Sequence, residues 1–340
     1  MKKLATLLFL SLITIIAFSC SNDEATVTPV PPVTNNTVNT GDLKLFVIDT
    51  AKVKTITMTG TNEITILNRK VNSNSYIGGF SVNANASKFV YVDNQGAFTN
   101  GAFAGQKSVR IANANGTADT SIYTAPNDTN TTSTDIGFVK FGTSKIYFTT
   151  TTQTISGAFI SSIIKLNSCN NDGTGLVVNN YNGSLSSIYK ADITSDGRYL
   201  ADFQSSPNIP KFIIMDQTGD NGAGVIIYQE TLSTALENGS GAVFSYDNKF
   251  AYFGFVENQL LKVKIINITT RTSETKTIAT NFTSTTFAMS ISVGSDNNRG
   301  VVTVQTFNNM PSKSYIFNLS SGSSTNFNNN DENVFQLNAF

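Results

Sequence analysis

The side chains able to carry chemistry in this chain are few, and the missing types narrow the field first. The 340 residues include no histidine and no tryptophan. Without imidazole there is no Ser-His-Asp or Cys-His nucleophile and no imidazole-ligated zinc or iron site. Without indole, the usual stacking platform for sugars is lost. Carboxylates remain, and two of them at a fixed separation suffice for glycoside hydrolysis. Asp93, Asp135, Asp192, Asp202 and Glu257 are the candidates for such a pair. The commoner use of such residues is as solvated acids at strand ends, and no recognisable catalytic motif surrounds them. Asn170-Asn171-Asp172-Gly173 and the stretch 216–221 look faintly like calcium loops. Both lack the regular acidic spacing and closing glutamate of a strong site, so neither a metal nor a cofactor is expected.

The elements that must position these residues are strands. Charged residues make up 14% of the chain, and polarity is carried by Asn, Thr, Ser and Gly, which suit strand faces and turns better than helix interiors. A basic residue follows a tight turn at Lys88, Lys145, Arg198, Lys249 and Arg299, at spacings of 57, 53, 51 and 50 residues. Upstream of each anchor lies one strand-like run, as in IGGFSV, IGFVKF, YKADIT, GAVFSY and AMSISV; downstream lie one or two more, as in SVRIAN and KFIIMD. Four strands at a period near 50 residues are the signature of propeller blades. Residues 41–68 offer two or three strands without an upstream partner, and the chain ends in a lone strand, ENVFQLNAF. The expected fold is therefore an all-β propeller of six four-stranded blades, its ring closed by N- and C-terminal strands sharing one blade; five or seven blades are the alternatives, because residues 41–68 can be divided in more than one way. Closure of this kind removes open sheet edges.

Two segments of the repeat carry a family resemblance. TSDGRYLADF, around Asp196-Gly197-Arg198, resembles the Ser-Pro-Asp-Gly-Lys core of TolB-type six-bladed propellers, and the segment around Asp172-Gly173-Thr174-Gly175 resembles their Asp-Gly-Thr-Gly loop. The likeness spans roughly residues 42–340. Residues 83–87 and 142–144 lack the Asp-Gly pair, and Ser195 and Tyr246 stand where the family has proline. These motifs build turns, so the resemblance implies a fold and leaves function open.

Met1-Lys2-Lys3, an apolar run over 4–18 and Ser19-Cys20 have the layout of a secretory signal. The run is about 15 residues long, short of the roughly 20 a spanning helix needs. Ala17-Phe18-Ser19-Cys20 resembles the lipobox of bacterial lipoproteins, which implies a signal over 1–19 and a lipidated, palmitate-bearing Cys20; cleavage of an ordinary signal elsewhere is the alternative. Residues 20–41 then form a Pro-, Thr- and Asn-rich tether that cannot bury enough apolar surface to fold, and the propeller domain occupies 42–340. The expected location is the outer membrane, lipid-anchored, facing the periplasm or the cell surface, with Asp23-Glu24 as a weak surface signal. Removing Lys2 and Lys3 leaves 21 basic against 23 acidic residues with no basic run, which disfavours nucleic acid and polybasic docking to membranes. Contact with the membrane is expected through the lipid only. With two cysteines, one of them Cys20, no disulfide framework is expected, and Cys169 reads as an inert thiol.

In propellers of this connectivity the recognisable motifs share one face. The opposite face is expected to carry longer loops over 93–107, 149–162, 204–210 and 231–240, two of them bearing Gly-Ala-Phe triplets with Phe98, Phe103 and Phe159. Aromatics on small-residue loops suit recognition of a peptide or another apolar partner; the bland reading is that they fold down over their own blades. Lys140, Tyr189 and Asp192 fall in innermost-strand segments, so they are expected to line the central channel or to make buried polar contacts between blades. The function expected is a monomeric, non-enzymatic binding or scaffolding module for an envelope protein, peptide or glycan. The alternatives are a carboxylate-dependent glycan hydrolase or lyase, and a structural surface-coat component.

Overall fold

The computed structural model describes residues 44–57, 62–99, 102–129, 131–180, 190–204, 210–218, 224–232, 236–280, 286–306, 313–327 and 334–339. The signal, Cys20, the tether and Tyr189 lie outside the described residues. Within them, 24 strands form six four-stranded antiparallel sheets. Blades II to VI each use four consecutive strands, over residues 76–124, 132–180, 191–231, 236–279 and 286–327. Blade I takes three strands from residues 44–68 and its innermost strand, Val334–Ala339, from the C-terminus, with Leu45 opposite Ala339 and Val47 opposite Leu337. The expected ring closure is therefore present.

Strand faces explain why the blades read as near-continuous apolar runs. Alternate side chains of a strand point to opposite faces, and in a ring both faces of a blade meet a neighbour. Phe89 and Tyr91 of blade II pack toward Phe46 and Ile48 of blade I, whereas Val90 and Val92 pack toward Ile136 and Phe148 of blade III. Six apolar clusters follow, one at each interface between consecutive blades, including Leu45 and Val47 of blade I against Val301 and Ile316 of blade VI.

The anchoring turns are built from hydrogen bonds that an Asp-Gly pair supplies. Asp196 Oδ1 accepts from Arg198 N at 3.0 Å and from Thr194 Oγ1 at 2.6 Å, while Gly197 adopts φ +77°. In blades II, V and VI the same bend is made without glycine, by Ala86, Asn248 and Asn297 at φ +53° to +59°. Turn geometry is thus repeated more faithfully than turn sequence.

Two of the expected loops are corrected. Residues 93–107 and 149–162 are long hairpins, with strand pairs Lys88–Thr99 with Ala102–Asn113 and Lys145–Ser156 with Phe159–Asn170. Their Thr-, Ser- and Gly-rich composition suggested loops, but uninterrupted cross-strand pairing carries the ribbons to the turns. The expected loop 231–240 is also shorter, because the innermost strand of blade V starts at Leu236 and bends through register shifts around Asn238 and Gly239. Of the fourth, 205–209 lie outside the described residues.

Candidate functional site

The channel is lined by the innermost strands, whose inner edges lack a further strand within their own blade. Side chains of adjacent blades take over that role. Ser81 Oγ of blade II accepts from Phe141 N of blade III at 3.0 Å, and Asp192 Oδ2 of blade IV accepts from Phe244 N of blade V at 2.9 Å. Lys140 of blade III closes the set, its Nζ 2.9 Å from the same Asp192 oxygen, with both side chains largely buried. Lys140 and Asp192 therefore meet in the channel, as an ion pair stitching blades III, IV and V.

The channel encloses a cavity of about 230 Å³. Gly79 and Gly137 bring blades II and III together, since a Cβ on Gly79 would lie 3.0 Å from the Gly137 carbonyl oxygen. Tyr246 of blade V crosses the space, its hydroxyl 3.5 Å from Val82 O of blade II. Burial raises its phenol far above the usual range, and the Asp192 charge adds to this, so it stays a neutral donor. Among the described residues no group of three or more Cys, Asp or Glu side chains is placed to hold a metal ion. In the loop at 170–173, Asp172 Oδ1 is engaged by Thr174 N at 2.9 Å and Thr174 Oγ1 at 2.7 Å, as an ordinary turn.

On the face of the ring bearing the long hairpins, the two Gly-Ala-Phe segments differ. Phe98 and Phe103 are cross-strand partners beside the hairpin turn of blade II, and their side chains lie outside the described residues. Phe159 begins the return strand of the blade III hairpin and is 81% exposed, with Ile160 at 69% and Ile163 at 53%. The tucked-down reading fails for Phe159. The register places Ile160 opposite Ile155, itself 47% exposed, and Ile163 opposite Thr152, so both faces of this ribbon carry exposed apolar groups. Residues 146–164 contain no charge.

The remaining candidate acids are dispersed. Asp93 is held by Arg69 at 2.7 Å between blades I and II, and Asp135 by Lys107 at 2.8 Å between blades II and III. Asp202 is buried in the second strand of blade IV beside Lys190, whose ammonium burial pushes down and the Asp202 charge partly restores. Glu257 faces a groove between blades IV and V together with Glu230, a meeting the sequence reading missed. The signal for half of it was available: Glu257 and Lys262 flank the two-residue turn of a hairpin at the same spacing as Asp49 and Lys54, and both pairs form ion pairs, at 2.7 and 3.2 Å.

No protein-family model and no curated protein matches this sequence. Solved structures do match. TolB from Acinetobacter baumannii superposes with a TM-score of 0.56 at 13% identity, over 87% of this chain and 66% of that one. A chain of a nidogen/laminin complex gives 0.55 at 12%, over 87% and 98%. The periplasmic gluconolactonase of Pseudomonas aeruginosa gives 0.50 at 9%, over 87% and 99%. The protein is thus a six-bladed β-propeller, as its blade count and ring closure define. More particularly, it is similar in fold to TolB, spanning 66% of that chain's length.

Proposed function

We propose that the protein is a monomeric, non-enzymatic binding module, held at the bacterial cell envelope by a lipid on Cys20 and recognising an envelope protein, peptide or glycan through the hairpin face of its propeller. The observation that carries the reading is the blade III hairpin, a charge-free ribbon whose Phe159, Ile160, Ile155 and Ile163 are exposed. Exposed apolar clusters of this kind mark interaction sites in soluble proteins. The signal-like N-terminus and the Ser19-Cys20 junction support the envelope location and the lipid. Superposable folds occur both in TolB and in the periplasmic gluconolactonase of Pseudomonas aeruginosa, so the fold by itself favours neither binding nor catalysis.

The test is affinity purification of the full chain from cross-linked, detergent-solubilised envelopes, comparing the native sequence with Phe159→Ser and Ile160→Ser. Both side chains are exposed, so melting temperature is expected to stay within about 1 °C. A partner is expected that is depleted at least about tenfold by either variant, as for truncation of an interface anchor. Recovery of the same proteins with all three chains, or of none, overturns the proposal.

The enzymatic alternative, a carboxylate-dependent glycan hydrolase or lyase, draws on one observation, the meeting of Glu230 and Glu257 at one groove. Both are paired with lysines, the opposite of the proton-carrying carboxyl that a general acid must present.

A further inference from the structure

The groove between blades IV and V has the makings of a second, separate site. It encloses a cavity of about 320 Å³, with Phe255 buried at its base and Thr231 and Thr275 on its walls. Two Lys-Glu pairs line it. Lys262 Nζ lies 2.7 Å from Glu257 Oε2, and Lys264 Nζ contacts Glu230 Oε1. The other Glu230 oxygen accepts from the Tyr228 hydroxyl at 2.5 Å.

Local structure dictates this arrangement. Lys262 and Lys264 are two apart on the third strand of blade V, so they share a face. Asn258 and Gln259 make the two-residue turn, both at positive φ, and the register sets Phe255 opposite Lys262, which brings Lys262 diagonally to Glu257. In blade I the matching lysine, Lys54, takes its second carboxylate, Glu63, from its own blade. In blade V the second lysine, Lys264, instead reaches Glu230 on the outermost strand of blade IV, so the charges span the gap between blades.

Two ammonium and two carboxylate groups give these paired walls no net charge. A charged ligand would have to displace one member of a pair and leave the other uncompensated in a half-buried site, which is costly. A neutral ligand bearing adjacent hydroxyls incurs no such cost: one hydroxyl donates to a carboxylate oxygen while its neighbour accepts from the ammonium, and hydrogen bonds to charged groups are the stronger kind. We propose that the groove between blades IV and V binds a neutral saccharide, without transforming it. The site is independent of the hairpin surface and of the central channel.

The experiment is saturation-transfer NMR on the full chain with cellobiose and chitobiose as neutral probes, and glucuronate and glucosamine as charged controls. Transfer to at least one neutral probe is expected, with little to the charged ones. Glu257→Gln breaks one pair without changing size and is expected to weaken binding about tenfold. Thr275→Met, which adds bulk without charge at an exposed position opposite Lys264 on the groove wall, is expected to weaken it strongly while leaving both pairs and the melting temperature in place. Phe159→Ser, in the blade III hairpin, is expected to change nothing. The proposal is overturned by no transfer to either neutral probe, by preference for a charged sugar, or by transfer that Thr275→Met leaves intact.

Discussion

Cys169 lies in the apolar cluster between blades II and III, 1% exposed, and its thiol is pushed up from 9.0 to about 11 by burial, with the Asp172 charge adding to the effect. The thiolate is the reactive form, so at pH 8 only roughly one native molecule in a thousand carries it, behind a packed interface. Native labelling with a soluble maleimide at pH 8 is expected to run below about 1% of the rate in denaturant; comparable rates would show that the interface opens readily. The same shift bears on stability. Between about pH 9 and 11 the unfolded chain has lost a proton that the native chain keeps, so this contribution is complete below pH 9 and declines as pH rises toward 11. Tyr228, raised from 10.0 to about 12 by burial and by its hydrogen bond to Glu230, acts in the same direction at higher pH. With no histidine to titrate near neutrality, denaturant midpoints are expected to be level from about pH 6 to 8.5 and to fall above about pH 9. A midpoint that rises through pH 10 would contradict this account.

The turns between first and second strands show how neighbouring blades are joined. Ser195 N of blade IV donates to Asn248 Oδ1 of blade V at 2.9 Å, and Tyr246 N of blade V donates to Asn297 Oδ1 of blade VI at 2.8 Å. Both acceptors sit in the left-handed region, at φ +59° and +53°, which asparagine tolerates better than most residues. Ser195 and Tyr246 occupy the place where TolB-type repeats have proline, and proline has no N–H to donate. The difference from the TolB-type pattern thus matches an asparagine staple between blades. Ser195→Pro introduces the residue that TolB-type repeats carry there but strands the Asn248 side-chain carbonyl, and a loss of about 1–2 kcal/mol is expected, read from denaturant midpoints; a stabilised variant would show that the staple contributes nothing. This level of structure was only half legible in the sequence. The anchors at Lys88 through Arg299 marked second strands correctly because each follows a turn whose Asp, Asn or Gly has a local hydrogen-bonding role. The hairpins over 93–107 and 149–162 were not legible, since TTTTQTISG lacks the apolar alternation that distinguishes a strand from a loop. Contacts such as Tyr246 with Val82, or Lys264 with Glu230, join residues of different blades, which no local pattern encodes.

For the ring as a whole, stability rests on interfaces between blades, and each interface needs its neighbour. Blade I is the point where this chain of dependence closes, because Val334–Ala339 supplies its innermost strand and packs beside the innermost strand of blade VI. Removing residues 333–340 takes away the ladder to Lys44–Asp49 and loosens the junction between blades VI and I, where Leu45, Val47, Val301 and Ile316 are buried. It also bares the inner edge of Lys44–Asp49, a row of unpaired backbone groups that invites pairing with another chain. Two consequences are expected together: a stability loss of several kcal/mol, seen as a drop in melting temperature of about 10 °C, and concentration-dependent self-association that the full chain does not show. The second separates ring opening from simple loss of packing, because a shortened chain whose ring stays shut would melt lower yet remain monomeric in sedimentation. An unchanged melting temperature would remove the C-terminal strand from the ring, and with it the closure that makes six blades one fold.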